Sequence, residues 1–393
     1  MITARAPWRL RVPAPALLGL AAAGTAVSIA VVAAPLLPVG DVLRLTAAGR
    51  VLLLASALAL GLTIVLAPHR VPRRELIAAG LGALGGQALL LAVTDPLAIA
   101  ILLLLVGFGF ATRPSRRPFA DRARGPAFAA LLLGVGWTFV RMPGPAWVGR
   151  AGALALALGL VAAAGLVPYL APVDPEEPAS SSYVAWTGFF GPALALTLPG
   201  RVMTSMSAGD AAVFGATLVG LGLVNLVWGT VGAWRTAEDM DAWRYSFLVD
   251  WGLALVGIGL FARDGFGAGY LAFLGIVLVR LPLYLWARPA LLGRRPARLV
   301  PLNVLLAVLL AGAAPFSGFP VRLLVLDVAT QAAWPLAIPL VAAMLMGVTY
   351  AMRLARTLGE HRGPAAIGLW VVLGLSLVLG VVPGVLRAVG GLA

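Results

Sequence analysis

Cysteine is absent from the 393-residue chain, and so is lysine: all 29 basic residues are arginine. The first absence excludes disulfides, thiolate metal sites and iron–sulfur ligation. The second removes a side chain that can shed its proton when buried; a guanidinium stays charged. Histidine is nearly absent too. His69 and His361 both sit in arginine-rich connections, which argues against a haem or zinc pair within an apolar interior. No metal and no other cofactor is expected. Charge of either sign is scarce at 11% of residues, where soluble domains carry about a quarter. The short alternating strands of an outer-membrane barrel are missing. The longest polar connections, 113–124, 173–182 and 235–243, are each too short for a soluble core of their own.

What remains is hydrophobic: 61% of the residues. Apolar runs of about 20 residues, the length of a membrane-spanning helix, recur throughout. They predict an all-α, polytopic transmembrane bundle of about 13 helices at 14–37, 46–67, 75–94, 96–112, 125–142, 148–171, 183–199, 210–234, 244–262, 267–287, 298–318, 320–352 and 364–389. The first run follows Arg5, Arg9 and Arg11 and exceeds a signal-peptide core, so it is read as a retained helix. A net charge of +14 suggests nucleic acid in a soluble protein. Here it is explained by arginines in cytoplasmic connections beside anionic lipid. The partner this implies is the bilayer, not nucleic acid. Most arginines fall in alternate connections, which places the N-terminus in the cytoplasm and the C-terminus outside the plasma (inner) membrane. Residues 1–393 then form one integral membrane domain, with N-terminal helices over 14–94 and two halves, 96–234 and 244–393.

The stretch Gly312–Asp327, GAAPFSGFPVRLLVLD, lies between two long apolar runs yet holds Pro315, Gly318, Pro320 and Arg322. Two prolines and a glycine within six residues cannot continue an unbroken helix. Opened backbone at membrane depth must be covered by protein or a wet cavity. Either a proline kink lets Arg322 snorkel to an interface, or a discontinuous helix builds an ion site. A second interruption occurs at Pro168. Together the sites predict two inverted repeats with discontinuous helices near 163–178 and 312–330.

These residues carry a resemblance. GAAPFSGFPVRLLVL resembles the broken twelfth helix of the antiporter-like subunits of respiratory complex I, Mrp-type sodium/proton antiporters and membrane hydrogenases. Pro315, Gly318 and Phe319 stand on matching positions, and Arg322 stands where those families have a lysine. RYSFLVDWG (244–252) resembles a family helix with Asp250 in a histidine place, and FLGIVLVRLPLYL (273–285) one with a central lysine, here Arg280. GLVPYLAPVDPEEPASSSYVAWTGF (165–189) resembles the broken seventh helix, with Pro168 and Asp174 retained, and VLGVVPGVL resembles the end of the last helix. The resemblance implies a proton-channel fold in the N/M/L-type subunits of a membrane-bound NADH-quinone oxidoreductase or hydrogenase-type complex. It also implies partners among the other membrane subunits of a multi-subunit redox complex. The chain itself holds no catalytic or cofactor-binding residues on this reading.

The departures bear on mechanism. The family's first-half glutamate and lysines fall near Leu104, Ala163 and Gly191–Pro192, none of which titrates. Arg280 lies too deep in its run for easy snorkelling, so a bundle-facing pair with Asp250 is expected. The other option for Asp250 is a local hydrogen bond near the cytoplasmic interface. Asp250, Arg280, Arg322 and Asp327 are the candidate ion-path charges, and Pro168, Pro315, Gly318 and Pro320 the candidate helix-breaking residues. Trp137, Trp147, Trp186, Trp286 and Trp334 are expected as interfacial anchors, and GLGALGG and GVGWTF as helix-packing surfaces. Three functions stay open: a subunit with a degenerate proton path and a mainly structural role, an active transporter with an altered path, and a polytopic enzyme on lipid-linked substrates.

Overall fold

The computed structural model describes residues 45–65, 73–112, 118–170, 186–291, 293, 300–359, 364–389 and 391. The expected helix 14–37, its flanking arginines, His69, His361, Asp174 and the 173–182 loop lie outside the described residues. The rest is helical, with no strand among the described residues: α1 (Ala47–Val65), α2 (Arg73–Ala92), α3 (Pro96–Ala111), α4 (Phe119–Arg141) and α5 (Ala146–Ala163). A π-turn (Trp186–Phe190) leads into α6 (Gly191–Met203), followed by α7 (Ala208–Arg235) and α8 (Asp239–Gly259). The ninth helix, α9 (Arg263–Gly275), runs through a second π-turn (Ile276–Arg280) into α10 (Leu281–Leu291). After α11 (Pro301–Leu310) come α12 (Gly318–Ala332), α13 (Ala337–Leu358), α14 (Pro364–Val381) and α15 (Pro383–Val389).

Among the described residues five stretches are long and apolar enough to cross a membrane, one of them Arg263–Arg288, made of α9, the π-turn and most of α10. The chain is a multi-pass membrane protein. Of that stretch's apolar window 94% is buried inside the bundle, against 28–50% for the other four. Arg263–Arg288 is therefore the central rod.

Lipid gives helices no hydrophobic reason to associate, so close backbone approach must do so. Glycines spaced seven apart on α7 supply it against antiparallel α8. A Cβ on Gly215 would lie 2.6 Å from the Gly259 carbonyl oxygen, one on Gly222 2.9 Å from that of Gly252, and one on Gly229 2.7 Å from that of Tyr245. Gly136 and Gly152 join α4 to α5 in the same way, at 2.8 and 2.7 Å, so GVGWTF is a helix-packing surface. Asp95 caps α3 by accepting the N–H groups of Leu97 and Ala98.

The repeat is visible in the backbone. At the end of α5, Gly165 has φ +70°; its N–H donates to Ala162 at 3.1 Å and that of Leu166 to Val161 at 3.2 Å. At the end of α11, 147 residues later (165 to 312), Gly312 has φ +64°. Its N–H donates to Leu309 at 2.9 Å, and that of Ala313 to Val308 at 3.1 Å. Both are the same glycine C-cap, and both are followed three residues on by a cis proline, Pro168 and Pro315. Shifted by 147, α3 falls on α8, α4 on α9–α10, and α5 on α11. Counting α2 with α7 and α6 with α13, each repeat holds five spans among the described residues, and an odd number of crossings inverts the second copy.

Several boundaries differ from expectation. Of the break expected near 312–330, the unwound part is 311–317, and Pro320 stands in the first turn of α12, where its missing N–H costs no helical bond. The run 320–352 is two helices, separated at Ala333–Leu336 by an extended residue and a 3₁₀ turn. Trp147 and Trp334 are exposed at helix starts, but Trp137 and Trp286 are buried in the bundle and anchor nothing at an interface. The Trp186 side chain is outside the described set.

Candidate functional site

The end of α11 leaves the carbonyls of Leu310 and Ala311 without helical partners. Two arginines take them. Arg280 donates from Nη2 to the Leu310 oxygen at 3.0 Å, and Arg322 donates from Nη1 to the Ala311 oxygen. A helix C-terminus carries about half a negative charge, so a cation is favoured there. Gly312 makes this approach possible: a Cβ on it would sit 2.6 Å from Cζ of Arg322. A Cβ on Gly318 would sit 2.6 Å from Cα of Gly312, so the two half-helices touch backbone to backbone.

Arg280 also holds Asp250 in a two-point fork, from Nε to Oδ2 at 2.6 Å and from Nη2 to Oδ1 at 3.3 Å. Their side chains are 7% and 19% exposed, which places the pair inside the central rod's packing and not at an interface. Arg280 closes the π-turn, where the N–H of Leu281 reaches back to the Ile276 carbonyl. Such a turn inserts a residue and re-aims the side chains beyond it. Asp250, Arg280, Arg322, Gly312, Ser317 and Gly318 share the walls of a cavity of about 40 Å³, room for one or two waters. The hydroxyl of Ser317 meets that of Ser376 on α14 at 2.9 Å, closing one side of the break.

Asp327 does not join this group. It is exposed on α12 and has no ion-pair partner among the described residues. Five helical positions from Arg322 turn it about 140° away at 3.6 residues per turn. Two contributors had not been read from sequence. Tyr350 on α13 is buried, its hydroxyl lacks a hydrogen-bond partner among the described residues, and it lies in the electrostatic field of Arg322 and Arg280.

Asn225 on α7 is the other, and it belongs to the first break. Its amide donates to the Val167 carbonyl at 3.1 Å and accepts the Val167 N–H at 2.9 Å, beside Pro168. A lone buried amide in a 28-residue apolar helix was the available signal. Asn225→Leu is expected to cost about 2–4 kcal/mol, because two buried backbone groups lose their partner; unfolding of the detergent-solubilised protein measures it. In the register of the repeat, Leu103 corresponds to Asp250 and Leu133 to Arg280, both fully buried. The first half therefore carries apolar side chains where the second carries its ion pair.

The pattern of guanidinium on carbonyl recurs outside the break. Arg201 donates to Leu90 and Leu91 at the end of α2, at 3.2 and 2.6 Å. Arg353 donates to Thr236 and Ala237 beyond α7 and pairs with Asp239 at 2.6 Å.

Geometry of this kind defines an inverted-repeat helical membrane protein with a charged, broken helix at its centre. Solved structures carry the same fold. The chain superposes with a TM-score of 0.74 at 16% identity on a subunit of the archaeal membrane-bound sulfane sulfur reductase (MBS), covering 97% of this chain and 91% of that one. It superposes at 0.70 and 18% on a subunit of respiratory complex I from Thermus thermophilus, covering 98% and 94%. A chain of the Mrp complex from Dietzia sp. DQ12-45-1b matches at 0.72 and 16% over 96% of this chain and 49% of that one. The fold is the one that these membrane-complex chains share. No family model matches the sequence, and no curated protein matches it by sequence.

Proposed function

We propose that the chain is an antiporter-like subunit of a multi-subunit, membrane-bound respiratory or hydrogenase-type complex, and that its central charges hold a broken helix together instead of relaying protons. One observation carries the second half of this reading: both buried guanidiniums already serve α11, Arg280 on Leu310 and Asp250, Arg322 on Ala311. A relay of the lysine kind needs a cation that deprotonates, which a guanidinium does not. Leu103 and Leu133 in the first half, both buried, offer no alternative path.

The 147-residue register moves the division of the two halves from 234–244 to between Met203 and Ala208, so that residues 73–203 and 208–358 form the repeats. The N-terminus lies in the cytoplasm and the C-terminus outside, following the arginine distribution. The cavity beside Asp250 favours a second reading, an active transporter that moves protons through this carboxylate and water. Assembly is tested by gentle detergent extraction of the affinity-tagged chain from its native membrane. Co-purification with further polytopic subunits and soluble redox subunits is expected; a chain that elutes alone from an active membrane contradicts the assignment to a complex.

A further inference from the structure

The break holds more positive than negative charge. Arg280 and Arg322 face one carboxylate, Asp250, and both oxygens of that carboxylate are bound by Arg280. The end of α11 offsets only about half a charge, and an uncompensated cation at membrane depth is costly. Tyr350, the remaining titratable group facing Arg322, is neutral as a phenol and offsets none of it. Arg322 is 7% exposed and lines the cavity. Its Nη1 is taken by Ala311, while Nη1 of Arg280, on the wall of the same cavity, is buried with no hydrogen-bond partner among the described residues.

We infer that the cavity between Asp250, Arg280, Ser317 and Arg322 binds one small monovalent anion of halide type, held between the unpartnered Nη1 of Arg280 and the guanidinium of Arg322. The volume, about 40 Å³, admits a species little larger than water and excludes sulfate-sized or organic anions. The anion completes the neutralisation that the carboxylate and the helix end leave unfinished. This site shares its residues with the proposed structural role but does not depend on assembly into a complex.

The test uses the purified chain in detergent at fixed ionic strength. Midpoints of thermal unfolding are compared in sodium chloride, bromide and gluconate, and retained radioactive chloride is counted by equilibrium dialysis. A saturable rise in midpoint with chloride and bromide, absent in gluconate, and one retained ion per chain are expected. Arg322→Gln loses both effects. Asp250→Asn, which raises the positive excess, strengthens both, so chloride partly rescues its stability. Equal midpoints in chloride and gluconate with no retained ion would overturn the inference and leave a cavity filled by water. A chloride effect unchanged in both variants would overturn it as well, by placing the ion elsewhere. Neither outcome bears on co-purification with partner subunits, so the two readings fail separately.

Discussion

Asp250→Ala is expected to destabilise the detergent-solubilised protein by about 3–5 kcal/mol, the cost of leaving a buried cation without its counter-charge. The loss falls on Arg280, which keeps its bond to Leu310 but loses the fork at 2.6 and 3.3 Å. Replacing both partners by apolar residues, Asp250→Leu with Arg280→Met, is expected to cost less than the single change. A buried pair repays little more than its own desolvation, so its removal as a unit is nearly neutral. The double variant retains a deficit of roughly 1–3 kcal/mol for the uncapped Leu310 carbonyl. Unfolding in a denaturing detergent, followed by tryptophan fluorescence, gives both values. A neutral Asp250→Ala would mean that the carboxylate does not hold the guanidinium.

Gly312→Val is the second large effect. The position has φ +64°, a conformation that costs a β-branched residue about 1–3 kcal/mol. Its Cβ would also fall 2.6 Å from Cζ and 2.8 Å from Nε of Arg322, and overpacking of that kind adds about 1–3 kcal/mol. Arg322 must leave the Ala311 carbonyl to make room, so the break loses a cap as well as its turn. The comparison is Gly220→Ala on α7, where an added Cβ meets nothing within 4 Å. That change is expected to be neutral or to stabilise by up to about 1 kcal/mol. The same unfolding assay reads both, and equal outcomes would show that Gly312 is not set by its neighbour.

Much of this arrangement could be read in the sequence because the bilayer removes alternatives. An arginine seven or more residues from either end of an apolar helix must find a partner, and Asp250 was an acid on a neighbouring span. Prolines at 168 and 315 marked both breaks for the same reason: opened backbone is tolerated only where protein covers it. The limits were equally physical. Asp327 looked close to Arg322 by residue count, but helical rotation turns it to the outside. The 320–352 run hid a helix junction because Ala333–Leu336 is as apolar as its surroundings, although Pro335 stands in it as a signal that could have been read. The π-turn at Ile276–Arg280 leaves no mark on hydrophobic periodicity in a helix that is buried all round. Trp286 resembled an anchor because it lies near a helix end, but in the central rod the ends are buried as well.

The lack of lysine has a structural counterpart. Arg201, Arg280, Arg322 and Arg353 all donate to carbonyls at or just beyond helix ends, and Arg280 and Arg353 hold a carboxylate at the same time. A guanidinium with five donors in a rigid fork can do both; an ammonium on a flexible stem does so less well. In this chain the basic side chain joins helices, and that use is opposed to releasing protons.

Proton and sodium flux through the chain reconstituted alone in sealed vesicles tests this opposition most directly. The account predicts that an imposed gradient decays at the rate of protein-free vesicles, and that Asp250→Asn changes nothing. Faster decay in the wild type, abolished by Asp250→Asn, would contradict it and make the carboxylate a carrier.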